Sequence, residues 1–85
     1  MAWIVTVAKP AQKQTARFLA KDQERIGVAV RAMADDPFLG DVIKLEGKDN
    51  SWRRRVGSYR IFFIVDHTKK TVVVSAIERR TSTTY

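Results

Sequence analysis

Three consecutive arginines, Arg53, Arg54 and Arg55, stand just before the pair Gly57-Ser58, and a fourth, Arg60, follows that pair by two residues. In an extended strand alternate side chains share a face. Arg53 and Arg55 therefore point to one side, and Trp52, Arg54 and Val56 to the other. With Gly57-Ser58 as a two-residue turn of type II′, Tyr59 falls opposite Val56 and Arg60 opposite Arg55. Directly opposed like charges weaken a sheet. A hairpin that carries them reads as a surface that holds an anion, against the simpler alternative of long side chains splayed into water. Arg54 falls on the nominal core face and must snorkel or meet an acid. Arg79 and Arg80 leave the last strand-like run, and Tyr85 offers a ring that can stack on a base. Positive charge gathered in this way suits a polyanion.

Other chemistries find little support. The chain has no cysteine, which removes disulfides, thiolate metal sites and thiol nucleophiles together. Its one histidine, His67, falls in a predicted turn beside Lys69 and Lys70 and reads as a solvated loop residue. Asp35-Asp36 reads as a helix terminus, and Ser75 lies mid-strand with no histidine placed to activate it. No glycine-rich phosphate loop follows a strand. No metal and no cofactor are expected.

The charge balance agrees with an anionic partner. Sixteen Lys and Arg against nine Asp and Glu give a formal net charge of +7 in 85 residues. Residues 1–43 carry six basic and five acidic groups, whereas residues 44–85 carry ten and four. A basic half of this kind is an electrostatic footprint for a polyanion. The first residues lack the basic and long apolar regions of a signal peptide, and no apolar run reaches membrane-spanning length, so the cytoplasm is the expected location.

The elements that position these residues follow from periodicity. Trp3–Val7 is β-branched and aromatic and predicts a strand. Pro10 suits the first turn of a helix, in which Ala11, Thr15, Phe18 and Leu19 fall at helical spacing. Asp22 suits the N-cap of a second helix, with Ile26, Ala29, Val30 and Met33 as its apolar stripe and Asp36-Pro37 as its stop. Residues 38–51 read as irregular. Trp52–Val56, Tyr59–Val65 and Thr71–Ile77 are three strand-like runs. The order β-α-α-β-β-β predicts one α+β domain over residues 1–85, a helical hairpin packed on a mainly antiparallel four-stranded sheet.

The stretch Ser51-Trp-Arg-Arg-Arg-Val-Gly-Ser-Tyr-Arg-Ile-Phe-Phe63 resembles the hairpin of RelE-type toxins of the RelE/ParE superfamily. Glu78-Arg-Arg-Thr-Ser-Thr-Thr-Tyr85 resembles their terminal segment, an arginine followed six residues later by a tyrosine, and Lys44-Leu-Glu-Gly47 resembles the loop before the hairpin. The resemblance implies a ribosome-dependent mRNA interferase, a metal-free endoribonuclease that uses the 2′-hydroxyl of the RNA as nucleophile. It implies phosphate binding and charge stabilisation by Arg53 and Arg60, leaving-group protonation by Arg79 and stacking by Tyr85. Arg55 stands where better-known members carry a lysine able to act as base. Lys44, Lys48 and Arg80 are the further basic residues expected to contact RNA. The implied partners are a cognate RelB-like antitoxin, in a hetero-oligomer, and the ribosome with its mRNA. The alternatives are a ParE-like inhibitor of DNA gyrase on the same fold, and a non-enzymatic basic RNA- or ribosome-binding module.

Overall fold

Along Tyr59–Asp66 the side chains alternate strictly, with Tyr59, Ile61, Phe63 and Val65 buried and the residues between them partly or fully exposed. A period of two with one buried face is the mark of a sheet covered on one side only. The computed structural model describes residues 2–80. Within them lie β1 (Ile4–Val7), α1 (Lys9–Thr15), α2 (Ala20–Ala32), β2 (Val42–Lys44), β3 (Ser51–Val56), β4 (Tyr59–Asp66) and β5 (Thr71–Arg79). The sheet runs β1-β5-β4-β3-β2, with β1 parallel to β5 and the other pairs antiparallel. This is the expected α+β arrangement with one added strand. The sheet has five strands rather than four, because part of the stretch read as irregular pairs along β3 as a three-residue edge strand.

The helices cover one face. Ala11 of α1 and Ile26, Ala29 and Met33 of α2 pack with Tyr59, Ile61, Phe63, Val65, Val72, Val74 and Ile77 in one core. The α2 stripe is the predicted one, with Val30 at its partly buried margin. Three local expectations change. Thr15 ends α1, which leaves Phe18 and Leu19 outside it; Phe18 lies against the Tyr59 ring with centroids 4.6 Å apart. Leu19, not Asp22, occupies the N-cap of α2 without a side-chain cap, since the chain is already extended there. Asp22 sits in the first helical turn instead, where its charge suits the helix dipole, and its carboxylate accepts the Tyr59 hydroxyl at 2.7 Å. Finally, α2 ends at Ala32, before Asp36-Pro37, and the Asp36 carboxylate accepts the Phe38 N–H to shape the turn.

Arg54 resolves its awkward position without an acid. It donates to the Ala29 carbonyl of α2 at 3.3 Å, and its guanidinium lies under Gly40. Gly40 has φ +96°, and a Cβ there would stand 3.1–3.2 Å from the Arg54 guanidinium. The β3–β4 turn has the expected form, with Gly57 at φ +57°.

β5 departs from its two-residue period once. Phe62 pairs with Ala76 and Phe63 with Val74, so Ser75 is the extra residue of a bulge, and its hydroxyl donates to the Phe62 carbonyl at 3.2 Å. Buried residues on β5 are accordingly Val72, Val74 and Ile77, spaced by two and then by three. A bulge of one residue exchanges the faces of everything beyond it. Past Val74 the outer edge of β5 leaves β1 and meets α1, where the Gln14 side chain accepts the Ile77 N–H at 2.7 Å.

Two measurements check these contacts. Gly40→Ala should lower the urea-unfolding free energy by about 2–3 kcal/mol, because it adds a clash with a pinned guanidinium to the strain of a positive φ. Gly47→Ala, at φ +74° with open space around it, should lose only about 1 kcal/mol; equal losses would deny the Gly40–Arg54 contact. The Tyr59 hydroxyl is held above its ordinary value of 10.0 by its hydrogen bond to Asp22, by burial and by the Asp22 charge, against the pull of Arg79 and Arg25. A raised folded-state value favours the neutral phenol in the fold, so this stabilisation is complete below pH 10.0 and fades as pH rises through the folded value. Phenolate absorbance should therefore show Tyr59 titrating earlier in Asp22→Asn than in the parent chain, and an unchanged midpoint would contradict the assignment.

Candidate functional site

The uncovered face of the sheet is organised in rows that run across the strands. The first row is Asp41, Arg55, Arg60 and Glu78. Arg55 and Arg60 are partners across β3 and β4, and Arg60 and Glu78 across β4 and β5. Asp41, just before β2, accepts the Arg55 N–H through its carbonyl at 2.9 Å. The second row is Ile43, Arg53, Phe62 and Ala76, and the third is Ser51, Ile64 and Val73, which continues to Thr6 on β1. The open face thus passes from a charged row to a mixed row and then to one whose centre, Ile64 and Val73, is exposed and apolar.

The charged row explains how the opposed arginines are tolerated. The Asp41 carboxylate stands 3.8 Å from the Arg53 guanidinium and 3.7 Å from Arg55 Nε, and Glu78 closes the other end beside Arg60. The repulsion expected from the sequence is offset on one side by Asp41, while Glu78 lies across from Arg60 in register without an ion pair among the described residues. The Asp41 pairs are long, and both Asp41 and Arg55 are half exposed; such pairs are worth less than about 1 kcal/mol. A phosphate can displace them at small cost. Arg53 is the least exposed partner, and its buried Nε has no hydrogen-bond partner among the described residues. An unsatisfied buried donor of this kind costs about 1–3 kcal/mol.

Not every expected residue joins this face. Arg53, Arg55 and Arg60 do. Arg79 pairs with Tyr59, whose side chain is buried under the helices, so Arg79 emerges on the helix side, in a groove shared with Lys13, Arg17 and Phe18. The bulge at Ser75 is the cause, since without it Arg79 would take the open face and Glu78 the covered one. Lys44 pairs with Trp52, whose ring packs on Phe38 at 4.8 Å on the helix side, so Lys44 is also off the arginine face. Lys48 lines an open-face groove of about 350 Å³ together with Phe62, Ile64, Ser75 and Glu78. Arg80 is exposed, and its N–H donates to the Ser58 carbonyl, extending the β4–β5 ladder. Tyr85 lies outside the described residues. His67 is exposed in its turn as expected, with its ring stacked on Phe38 at 5.9 Å. Asp41, Phe62 and Glu78 were not singled out from sequence. The two-then-three spacing of Val72, Val74 and Ile77 was the signal for Glu78.

Among the described residues no helix is long and apolar enough to cross a membrane. Comparison with solved structures finds the same architecture in several toxins. A chain of the archaeal RelE–RelB complex from Pyrococcus horikoshii OT3 is 25% identical, with a TM-score of 0.82 over 98% of this chain and 100% of that one. The isolated E. coli RelE toxin is 17% identical, with a TM-score of 0.81 over 96% of this chain and 88% of that one. The YoeB/ParE toxin from Agrobacterium tumefaciens is 20% identical, with a TM-score of 0.75 over 92% and 99% respectively. The last two likenesses speak to fold alone. No curated protein matches this chain in sequence. Residues 5–83 match the family model described as ParE toxin of type II toxin-antitoxin system, parDE. With nearly its whole length covered by that match, the chain belongs to the ParE toxin family of type II toxin–antitoxin systems, within the RelE/ParE superfamily.

Proposed function

We propose that this toxin is a metal-independent endoribonuclease that cuts mRNA on the ribosome in the cytoplasm and is restrained by a RelB-like antitoxin in a hetero-oligomer. The observation that carries the reading is the gathering of Arg53, Arg55 and Arg60 on one open sheet face, with weak counter-ions. Three guanidinium groups so placed can bind a phosphodiester and stabilise the added negative charge of a phosphorane. A chain with so small a site gains from a host that positions the RNA strand, which is why the ribosome is the expected setting. The antitoxin follows from the likeness to the RelE–RelB complexes and from the mixed chemistry of the open face. An acidic, partly apolar segment would match the arginine row and the Ile64–Val73 row together.

A second reading is inhibition of DNA gyrase without nuclease activity. The match to the ParE model favours it, and so does the position of Arg79 on the opposite face from the other three arginines.

The two readings separate in one assay. On programmed ribosomes the purified toxin should cut mRNA within a codon and leave naked RNA nearly intact, and Arg60→Ala should slow single-turnover cleavage by about 10²–10³-fold. Stabilised gyrase–DNA complexes with intact mRNA would establish the second reading, and efficient digestion of free RNA would remove the ribosome from the account.

A further inference from the structure

A 2′-hydroxyl must lose its proton as it attacks, and no arginine accepts one near neutral pH. The charged row is closed by two carboxylates, and they are not equivalent. Asp41 lies at the outer edge of the sheet with one oxygen turned to Arg53 and the other to Arg55. Glu78 stands at the inner end, exposed, opposite Arg60, and makes no ion pair within 4.0 Å among the described residues. It lines the open-face groove with Phe62 and Lys48 and also borders the helix-side groove of Lys13, Arg17 and Arg79. In the open-face groove a base and its ribose would lie next to the strand positions of Arg53 and Arg60, which would hold the phosphate. A carboxylate on an anion-binding face weakens ground-state binding of RNA. Proton acceptance gives it a role that offsets that loss.

We propose that Glu78 is the general base of RNA cleavage, an inference that rests on the ribonuclease reading above. The Glu78 carboxylate takes the 2′-hydroxyl proton while the 2′-oxygen forms its bond to the adjacent phosphorus. The bond from phosphorus to the 5′-oxygen breaks, the departing oxygen takes a proton from water, and Glu78 returns its own proton to solvent. The products are a 2′,3′-cyclic phosphate and a 5′-hydroxyl. Arg60, between Glu78 and Arg55, faces the charge that builds on the phosphorane.

The test is single-turnover mRNA cleavage on programmed ribosomes with the full chain. Glu78→Ala should lower the rate at saturating toxin by about 10²–10⁴-fold, with half-saturation unchanged or lower, and Glu78→Gln should lose as much. Sodium formate should restore roughly tenfold or more to Glu78→Ala, while chloride at equal ionic strength should not. Asp41→Asn should tighten RNA binding and gain nothing from formate. Glu78→Ala within about threefold of the parent chain, or a loss that formate leaves untouched, overturns the proposal. If the parent chain itself leaves ribosomal mRNA whole, the ribonuclease reading has failed and the proposal falls with it; if only the Glu78 variants behave as the parent does, the reading stands and the base lies elsewhere.

Discussion

Every position on the open face is assigned by the two-residue period of β4 and by the one residue on β5 that interrupts it. β4 is the central strand of the sheet, and its buried series of Tyr59, Ile61, Phe63 and Val65 ties the sheet to both helices. Burial of those side chains, at about 1.5–3 kcal/mol each, fixes which way the strand faces. Arg60 and Phe62 are then open by exclusion. The β3 register follows through the Gly57-Ser58 turn, which brings Arg53 and Arg55 to the same side. On β5 the bulge at Ser75 lets Ile77 reach the core after Val74, and the residue carried to the open face in consequence is Glu78.

That geometry turns an apparent excess of positive charge into an ordered row. Two arginines lie between two carboxylates, one engaged with both Arg53 and Arg55 and the other without an ion pair among the described residues. A second basic group lies on the helix side, where Lys13, Arg17 and Arg79 share a groove near the Asp22–Tyr59 hydrogen bond. The net charge of +7 is therefore spread over two faces rather than concentrated on one. Within the row of Asp41, Arg55, Arg60 and Glu78 the charges balance, and such a row selects by the positions of its groups more than by long-range attraction.

Much of this was legible in the residues. The α2 stripe, the β3–β4 hairpin with its type II′ turn, and the shared side of Arg53, Arg55 and Arg60 all follow from local periodicity and one glycine. Three features were not legible for physical reasons. The edge strand β2 is only Val42–Lys44, too short for its own pattern, and it exists because β3 offers it a partner. Asp22 reads equally well as a cap or as a first-turn acid, and a tertiary contact with Tyr59 decides between them. The face of Arg79 depends on a single unpaired residue, which shifts everything after it by one position; a strict alternation carried through β5 puts Arg79 beside Arg60 and hides Glu78.

The β4–β5 register is accordingly the point on which the site stands, and cross-strand Hα–Hα contacts measured by NMR report it directly. Such contacts are shortest in the non-hydrogen-bonded pairs of an antiparallel ladder. The Arg80 N–H bonded to the Ser58 carbonyl makes that pair a hydrogen-bonded one, so Tyr59 with Arg79 and Ile61 with Ile77 are the close pairs. Strong contacts between the Hα protons of Tyr59 and Arg79 and of Ile61 and Ile77 are the predicted result. A ladder that runs instead from Tyr59 to Glu78 and from Ile61 to Ala76 would mean no bulge at Ser75, would return Arg79 to the open face, and would contradict the site described for this toxin.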